Sequence, residues 1–271
     1  MLTINVGPLA LAVPHVLLLV SLFLAMLTGW WAGRRNERNP EQQLFGLLLV
    51  ALLVARLAFV LVYFEHFRDE PWRVIDIRDG GFIAWPGVLA AVLLGAWLAW
   101  REETLRKPLG WAVAVGVLSW GLATFALHAF EQGTRLPEMG LRDNRGKPVA
   151  LQDFVGKPLV INLWATWCPP CRREMPVLAE AQRNESEVTF LFVNQGEGER
   201  VIADFLRAEG LGLENVLLDS GGRLGQRIGS SALPTTLFYD AEGRQVGSHL
   251  GELSHASLAR ALEQLEVNTQ P

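Results

Sequence analysis

The chain has 271 residues, half of them apolar, a net charge of −4 and two cysteines. That length suits about two domains, and so mild a charge gives no reason to expect nucleic acid as a partner. Two cysteines are too few for a disulfide scaffold. With no histidine beside them they do not make a zinc site either, so no metal or other cofactor is expected and the pair reads as chemistry.

The first 130 residues hold four apolar runs, near Leu9–Trp31, Leu44–Phe64, Phe82–Trp100 and Leu109–Phe130, and most of the ten tryptophans. Each run is long enough to cross a bilayer, which takes about 20 residues. Four such runs in succession would leave buried helices of a soluble protein no polar face for water. The first is read as a span rather than a cleavable leader, because no basic residue precedes it and "RRNER" follows it. Basic residues set the orientation. Arg34, Arg35 and Arg38 follow the first span, and Arg101, Arg106 and Lys107 follow the third. The loop after the second span has Arg68, Arg73 and Arg78, mixed with Glu65, Asp69, Glu70, Asp76 and Asp79. This bias places both termini outside the cytoplasm.

Two features of this half ask for a function. Arg56 lies inside the second span, where a charge is expensive. It is either a functional group or a side chain that reaches the outer interface or pairs with Glu65 or Asp79. The stretch "DIRDGGFIAWPG", residues 76–87, opens the third span, and a tight turn capped by Asp79 accounts for its paired glycines.

From Leu141 the pattern changes to short β-rich runs alternating with helices. "LVINLWA" (159–165) is a continuous apolar run, as in a strand buried on both faces. It feeds into "TWCPPC", and "RREMPVLAEAQRN" reads as a helix. "VTFLFVN" (188–194), the helix "GERVIADFLRAEG" and "NVLLD" (215–219) follow. "GRLGQRIG" reads as a short helix with glycine ends, since no strand–GxGxxG–helix unit surrounds it. "TTLFYD" and "RQVGSHLG", split by "AEG", make an antiparallel pair, and "SHASLARALEQL" is a closing helix with Ser254 as N-cap. The fold class expected is therefore a four-helix transmembrane region over residues 1–134, followed by an α/β thioredoxin-like domain over 135–271 with a mixed sheet covered by helices.

Cys168 falls at the first turn of a helix, where free amides and the helix dipole stabilise a thiolate. Pro169 and Pro170 lose nothing there by lacking amide hydrogens, and they stiffen the loop. Cys171, one turn in, is expected to be the more buried thiol, with Trp167 shielding one side of the pair. Arg172 and Arg173 read as solvated helix residues.

The motifs "VINLWATWCPPCRREMPVL", "FVNQGE" and "SALPTTLFYDAEGRQV" resemble the TlpA and ResA branch of thioredoxin-fold oxidoreductases. The resemblance implies an extracytoplasmic, generally reducing enzyme serving cytochrome c maturation or a similar task. It makes Cys168 the attacking and Cys171 the resolving thiol of a redox-active disulfide, Glu174 the buried carboxylate behind them and Pro234 a cis-proline. Glu174, three residues past Cys171, is placed to take its proton; a solvated first-turn acid is the other reading. Glu197 matches a further acidic position of that branch, or caps the next helix. Trp167, Leu233 and Pro234 are the expected substrate contacts. The spans contain no cysteine, so electrons must come from another membrane protein, resembling the DsbD or CcdA conduits. Disulfide-containing proteins are the expected substrates, and the bacterial inner membrane, with the thiol domain on its periplasmic side, is the expected location.

"ARLAFVLVYFEHF" (55–67) and "RDGGFIAWPGVLAAVLLG" (78–95) resemble prolipoprotein diacylglyceryl transferases over roughly residues 40–100. Asp79, Gly80, Gly81 and Gly87 match that family's stretch, but Trp85 and Pro86 stand where it has His and Gly. With Arg56, these residues are a possible lipid or polar membrane site. Three classes of function remain: a membrane-anchored reductase, a lipid-transferring enzyme with an accessory redox domain, and a thioredoxin-fold adaptor without turnover.

Overall fold

The computed structural model describes residues 3–6, 9–34, 39–68, 70–230 and 232–269. Arg35, Arg38 and Asp69, which entered the loop charges, lie outside the described residues. The chain forms two compact units. One comprises Pro14–Ile77 and Gly81–Leu127; the other comprises the chain up to Val13, Arg78–Gly80 and everything from His128.

The first unit is built of helices α1 (Val13–Gly33), α2 (Glu41–Val62), α3 (Ala84–Arg101) and the body of α4 (Glu103–Gln132). All four are long and apolar enough to cross a membrane. Their outward faces carry large apolar side chains such as Phe23, Leu53, Leu61, Trp100 and Phe125, a surface suited to lipid tails rather than water. A small core of Leu44, Leu47, Leu105, Leu109 and Ala112 lies between α2 and α4. Gly87 of α3 packs on the backbone of Ala51 in α2, where a Cβ would collide with its carbonyl oxygen.

The helix starts differ from the sequence expectation. Residues Leu9–Ala12 are not helical but form strand β2, antiparallel to β1 (Thr3–Val6). Helix α1 begins only at Val13, where Pro14 falls in a first turn that needs no amide donor from it. Conversely α4 starts at Glu103, six residues before the apolar run, because charged residues hide a helix from a hydropathy reading without stopping it. The link from α3 to α4 is Glu102 alone, so Arg101, Arg106 and Lys107 sit on helix ends. The N-cap of α3 is Ile83, without a side-chain bond.

The second unit contains a seven-stranded sheet in the order β4-β3-β7-β6-β5-β8-β9. Its strands are β3 (Gly140–Asp143), β4 (Pro148–Ala150), β5 (Leu159–Trp164), β6 (Thr189–Gln195), β7 (Val216–Asp219), β8 (Thr235–Tyr239) and β9 (Gln245–Leu250). Strands β5, β6 and β7 are parallel, while β8 pairs antiparallel with β5 and β9 antiparallel with β8. Central strand β5 alternates between two cores. Val160 and Trp164 join Phe190, Phe192, Met175 and Leu178 on one face, and Leu159, Ile161 and Leu163 join Leu191, Val193 and Tyr239 on the other. Burial on both faces is why the run reads as uninterrupted hydrophobicity. Helices α5 (Pro169–Asn184), α6 (Glu199–Ala208), α7 (Arg223–Ile228) and α8 (His255–Thr269) complete the unit. The hydroxyl of Ser254 accepts from the Ser257 amide at 3.2 Å and so caps α8. The edge strand β4 (PVA) and its neighbour β3 (GLRD) were not anticipated; both are short.

Candidate active site

Strand β5 ends in the sheet's interior, and the next four residues carry the chain to the N-terminus of α5. Cys168 is the N-cap of that helix, and its sulfur accepts a hydrogen bond from the Cys171 amide at 3.3 Å. Because Pro169 and Pro170 have no N–H, Cys171 supplies the first amide that can reach the sulfur. Cys168 and Cys171 are joined as a disulfide. Cys171 is fully buried and Cys168 is 3% exposed, so the pair is nearly shut off from solvent in its oxidised form. The opening is a groove of about 820 Å³ lined by Trp167, Cys168, Pro169, Leu163, Leu233 and Gln195, among others. No charged side chain lines it among the described residues. Trp167 stands proud at its rim, 67% exposed. The Leu233–Pro234 bond is cis, and the Pro234 carbonyl accepts from the Gly251 amide.

Behind the disulfide, one turn further along α5, Glu174 is completely buried. Its Oε1 accepts from Asn162 Nδ2 at 2.7 Å and its Oε2 from the Leu253 amide at 2.9 Å. Burial is the main reason its pKa is pushed up to about 8; the Leu253 and Asn162 hydrogen bonds pull it down, and the charge of Glu252 pushes it up. Such a carboxyl takes or gives a proton near neutral pH. The solvated-acid reading of Glu174 does not survive its burial.

Glu197 does not cap α6, whose N-cap is Gly198 without a side-chain bond. It grips the loop that carries the cysteines instead. Its carboxylate accepts from the Thr166 amide at 2.7 Å, the Thr166 hydroxyl at 2.5 Å and Asn194 Nδ2 at 2.8 Å. Arg172 and Arg173 are less free than expected, since they pair with Glu209 and Glu252, each at 2.6 Å. Asn162 and Thr236 were missed as site residues. The one signal was an asparagine interrupting the apolar run of β5.

Arg56 is buried, and its guanidinium donates to the carbonyls of Val74 (3.0 Å), Gly81 (2.9 Å), Arg73 (2.9 Å) and Asp76 (2.7 Å). Asp79 belongs to the other unit, where its Oδ2 accepts from the Ser254 hydroxyl at 3.0 Å. Gly80 lies beside it with a positive φ.

A buried parallel strand that delivers a Cys-x-x-Cys disulfide to a helix N-terminus, inside a mixed sheet, defines a thioredoxin-like dithiol domain. Comparison with known proteins agrees. The Redoxin family model matches residues 131–265. The thiol-disulfide oxidoreductase ResA of Bacillus thuringiensis subsp. konkukian is 30% identical over 137 residues, 50% of this chain and 79% of that one. ResA of Bacillus subtilis is 28% identical over 147 residues, 54% of this chain and 82% of the relative. A putative thiol:disulfide interchange protein DsbE from Chlorobium tepidum superposes with a TM-score of 0.45 at 26% identity, covering 51% of this chain and 96% of that structure. The chain belongs to the redoxin family of thioredoxin-fold thiol–disulfide oxidoreductases, on the ResA branch. Its front half matches the prolipoprotein diacylglyceryl transferase model over residues 2–126, a wider span than the stretch legible in the sequence.

Proposed function

We propose that the protein is a membrane-anchored reductase of disulfides in extracytoplasmic proteins. The observation that carries this reading is the Cys168–Cys171 disulfide at the mouth of α5 with a buried, proton-accepting Glu174 behind it. Residues 1–134 serve as a four-span membrane domain and residues 135–271 as the redox domain. In the reduced protein the Cys168 thiolate, stabilised by the helix N-terminus, attacks one sulfur of a substrate disulfide, whose other sulfur leaves as a thiolate. Cys171 then passes its proton to Glu174 and attacks Cys168. The intramolecular disulfide forms, the mixed disulfide breaks, and the second substrate sulfur leaves as a thiolate that water protonates. Two electrons have moved from the cysteine pair to the substrate. The uncharged groove beside Trp167 and Leu233 suits an extended substrate segment, with the Leu233 backbone as its docking edge and the Pro234 ring beside it.

Both cysteines of the chain are spent in this pair, so recharging requires a membrane donor with its own thiols, of the DsbD or CcdA kind. Glu174 then returns its proton to the departing Cys171 sulfur. The loop charges favour an inner membrane in which both termini face the periplasm. A lipid-transferring role is the weaker reading, because Arg56 is committed to backbone carbonyls. The test is a Cys171→Ser variant of the full chain expressed in cells. It should accumulate proteins trapped on Cys168, and a membrane-impermeant thiol reagent should label Cys168 of the reduced protein from outside. Absence of trapped species, or labelling only after lysis, would overturn the proposal.

A further inference from the structure

Asn162 sits in the middle of β5 and pairs in register with Thr236 of β8. It is 1% exposed. Its Nδ2 donates both to Glu174 Oε1 at 2.7 Å and to the Thr236 hydroxyl at 3.0 Å. Its Oδ1 is buried without a hydrogen-bond partner among the described residues. An unpaired buried amide oxygen is costly, so the orientation of this amide needs a reason. Turned over, it would set an oxygen against a carboxylate oxygen. As it stands, both its N–H bonds are used, one to bring a donor to the carboxyl and one to fix the amide on Thr236.

We propose that Asn162 is the positioning residue of the resolving step: its carboxamide, anchored by Thr236, aims the Glu174 carboxyl and favours the ionised form that accepts the Cys171 proton. This rests on the dithiol reading above. The groups that face Glu174 are few. Among the described residues Asn162, itself held by Thr236, approaches from the sheet, the Leu253 amide and Glu252 from the loop after β9, and Cys171 precedes it by one turn on its own helix. Glu252 is itself paired to Arg173 at 2.6 Å. Two neutral N–H donors therefore oppose the desolvation of the carboxylate. Removing the side-chain donor leaves only the Leu253 amide, and the carboxyl then keeps its proton to higher pH.

The test uses the reduced full-length protein in detergent and an aryl disulfide whose leaving thiol is coloured. The first coloured thiol reports attack by Cys168. The second, at a rate independent of reagent concentration, reports attack by Cys171. In the wild type the second phase should accelerate with pH through the titration of Glu174, near about 8. Asn162→Leu, close in shape to the original, should slow that phase about tenfold at neutral pH and move its midpoint up by about one unit, with the first phase unchanged. Thr236→Val should act in the same direction more weakly, and Thr236→Ser should restore the wild-type profile. A wild-type profile in both Asn162→Leu and Thr236→Val would overturn the proposal. Glu174→Gln separates the two levels of the argument. If it alters the second phase while the Asn162 and Thr236 variants do not, only the positioning role falls. If it too behaves as wild type, Glu174 is not the proton acceptor and both readings fall.

Discussion

Arg56 in the helical unit and Glu174 in the sheet unit are both buried ionisable side chains that the sequence had singled out, and they are treated in opposite ways. Arg56 meets four backbone carbonyls, which use the fork of its guanidinium and satisfy the turns between α2 and α3. The rings of Phe59 and Phe67 stand 5.5 Å from its charge. A guanidinium held by four carbonyls is fixed in place and cannot change its charge. Glu174 meets two neutral donors, one from an amide side chain and one from the backbone, and no cation among its recorded partners. It is left close to the point where it exchanges a proton. Burial alone therefore says little about function. The number and kind of partners decide whether a buried charge is a staple or a working group.

The sharpest way to test that contrast is to remove each half's key group and read the other half's property. Cys168→Ser should abolish both coloured-thiol phases while leaving the helical content of α1–α4 as in the wild type. Arg56→Leu should do the reverse. It strips donors from four carbonyls at once, each costly to leave unmade, and should lower the stability of the helical unit by about 3 kcal/mol or more. Protease susceptibility of the full chain in detergent would report this loss. Both thiol phases should be unchanged; a slowed second phase would show that Arg56 acts on the redox chemistry and would break the comparison.

What could be read from the chain beforehand divides along the same line. Cys168, Cys171, Glu174 and the cis bond at Pro234 fall in short contiguous motifs, and so were visible. Asn162 and Thr236 meet only because β5 and β8 pair in one register across 74 residues of chain, which no local pattern encodes. Four of the groups that Arg56 meets are backbone carbonyls, which any sequence would supply and which no local pattern marks. The core strands β5, β6 and β8 were legible from their apolar runs, whereas β3, with sequence GLRD, owes its place to β4 and β7 rather than to its own composition. The same holds at Leu9–Ala12, apolar enough for a span yet held in a hairpin.

Glu174→Gln gives the next effect in size and a sign that can be worked out. The acid's folded pKa, about 8, lies above its ordinary 4.5. The folded protein thus holds a proton that the unfolded chain has released. The stability this confers is complete below about pH 4.5 and is lost as pH rises through about 8. In the oxidised protein, the β5 and β6 amides of the wild type should be less protected at pH 9 than at pH 6 once the intrinsic base-catalysed exchange rate is divided out, with a stability difference of about 3 kcal/mol. Glutamine, which never ionises, should flatten that dependence. In the reduced protein it should slow the second coloured-thiol phase about a hundredfold. A flat wild-type profile would mean that Glu174 is no more poised than Arg56.

The smallest effect is expected at Thr166, and it tests whether the loop before the cysteines is held or merely packed. Glu197 receives three hydrogen bonds here, two of them from Thr166. Thr166→Val keeps the backbone bond and deletes the 2.5 Å hydroxyl bond, a loss of about 1 kcal/mol if the clamp is real. Because the clamp positions Cys168 rather than Cys171, the first phase should slow by less than about fivefold, and the second should keep its midpoint. Thr166→Ser, which restores the hydroxyl, should recover the wild-type rate. A shift of the second phase's midpoint instead would mean that the Glu197 carboxylate reaches the proton chemistry, and the polar groups of this half would then be one network rather than a clamp on one thiol and a base behind the other.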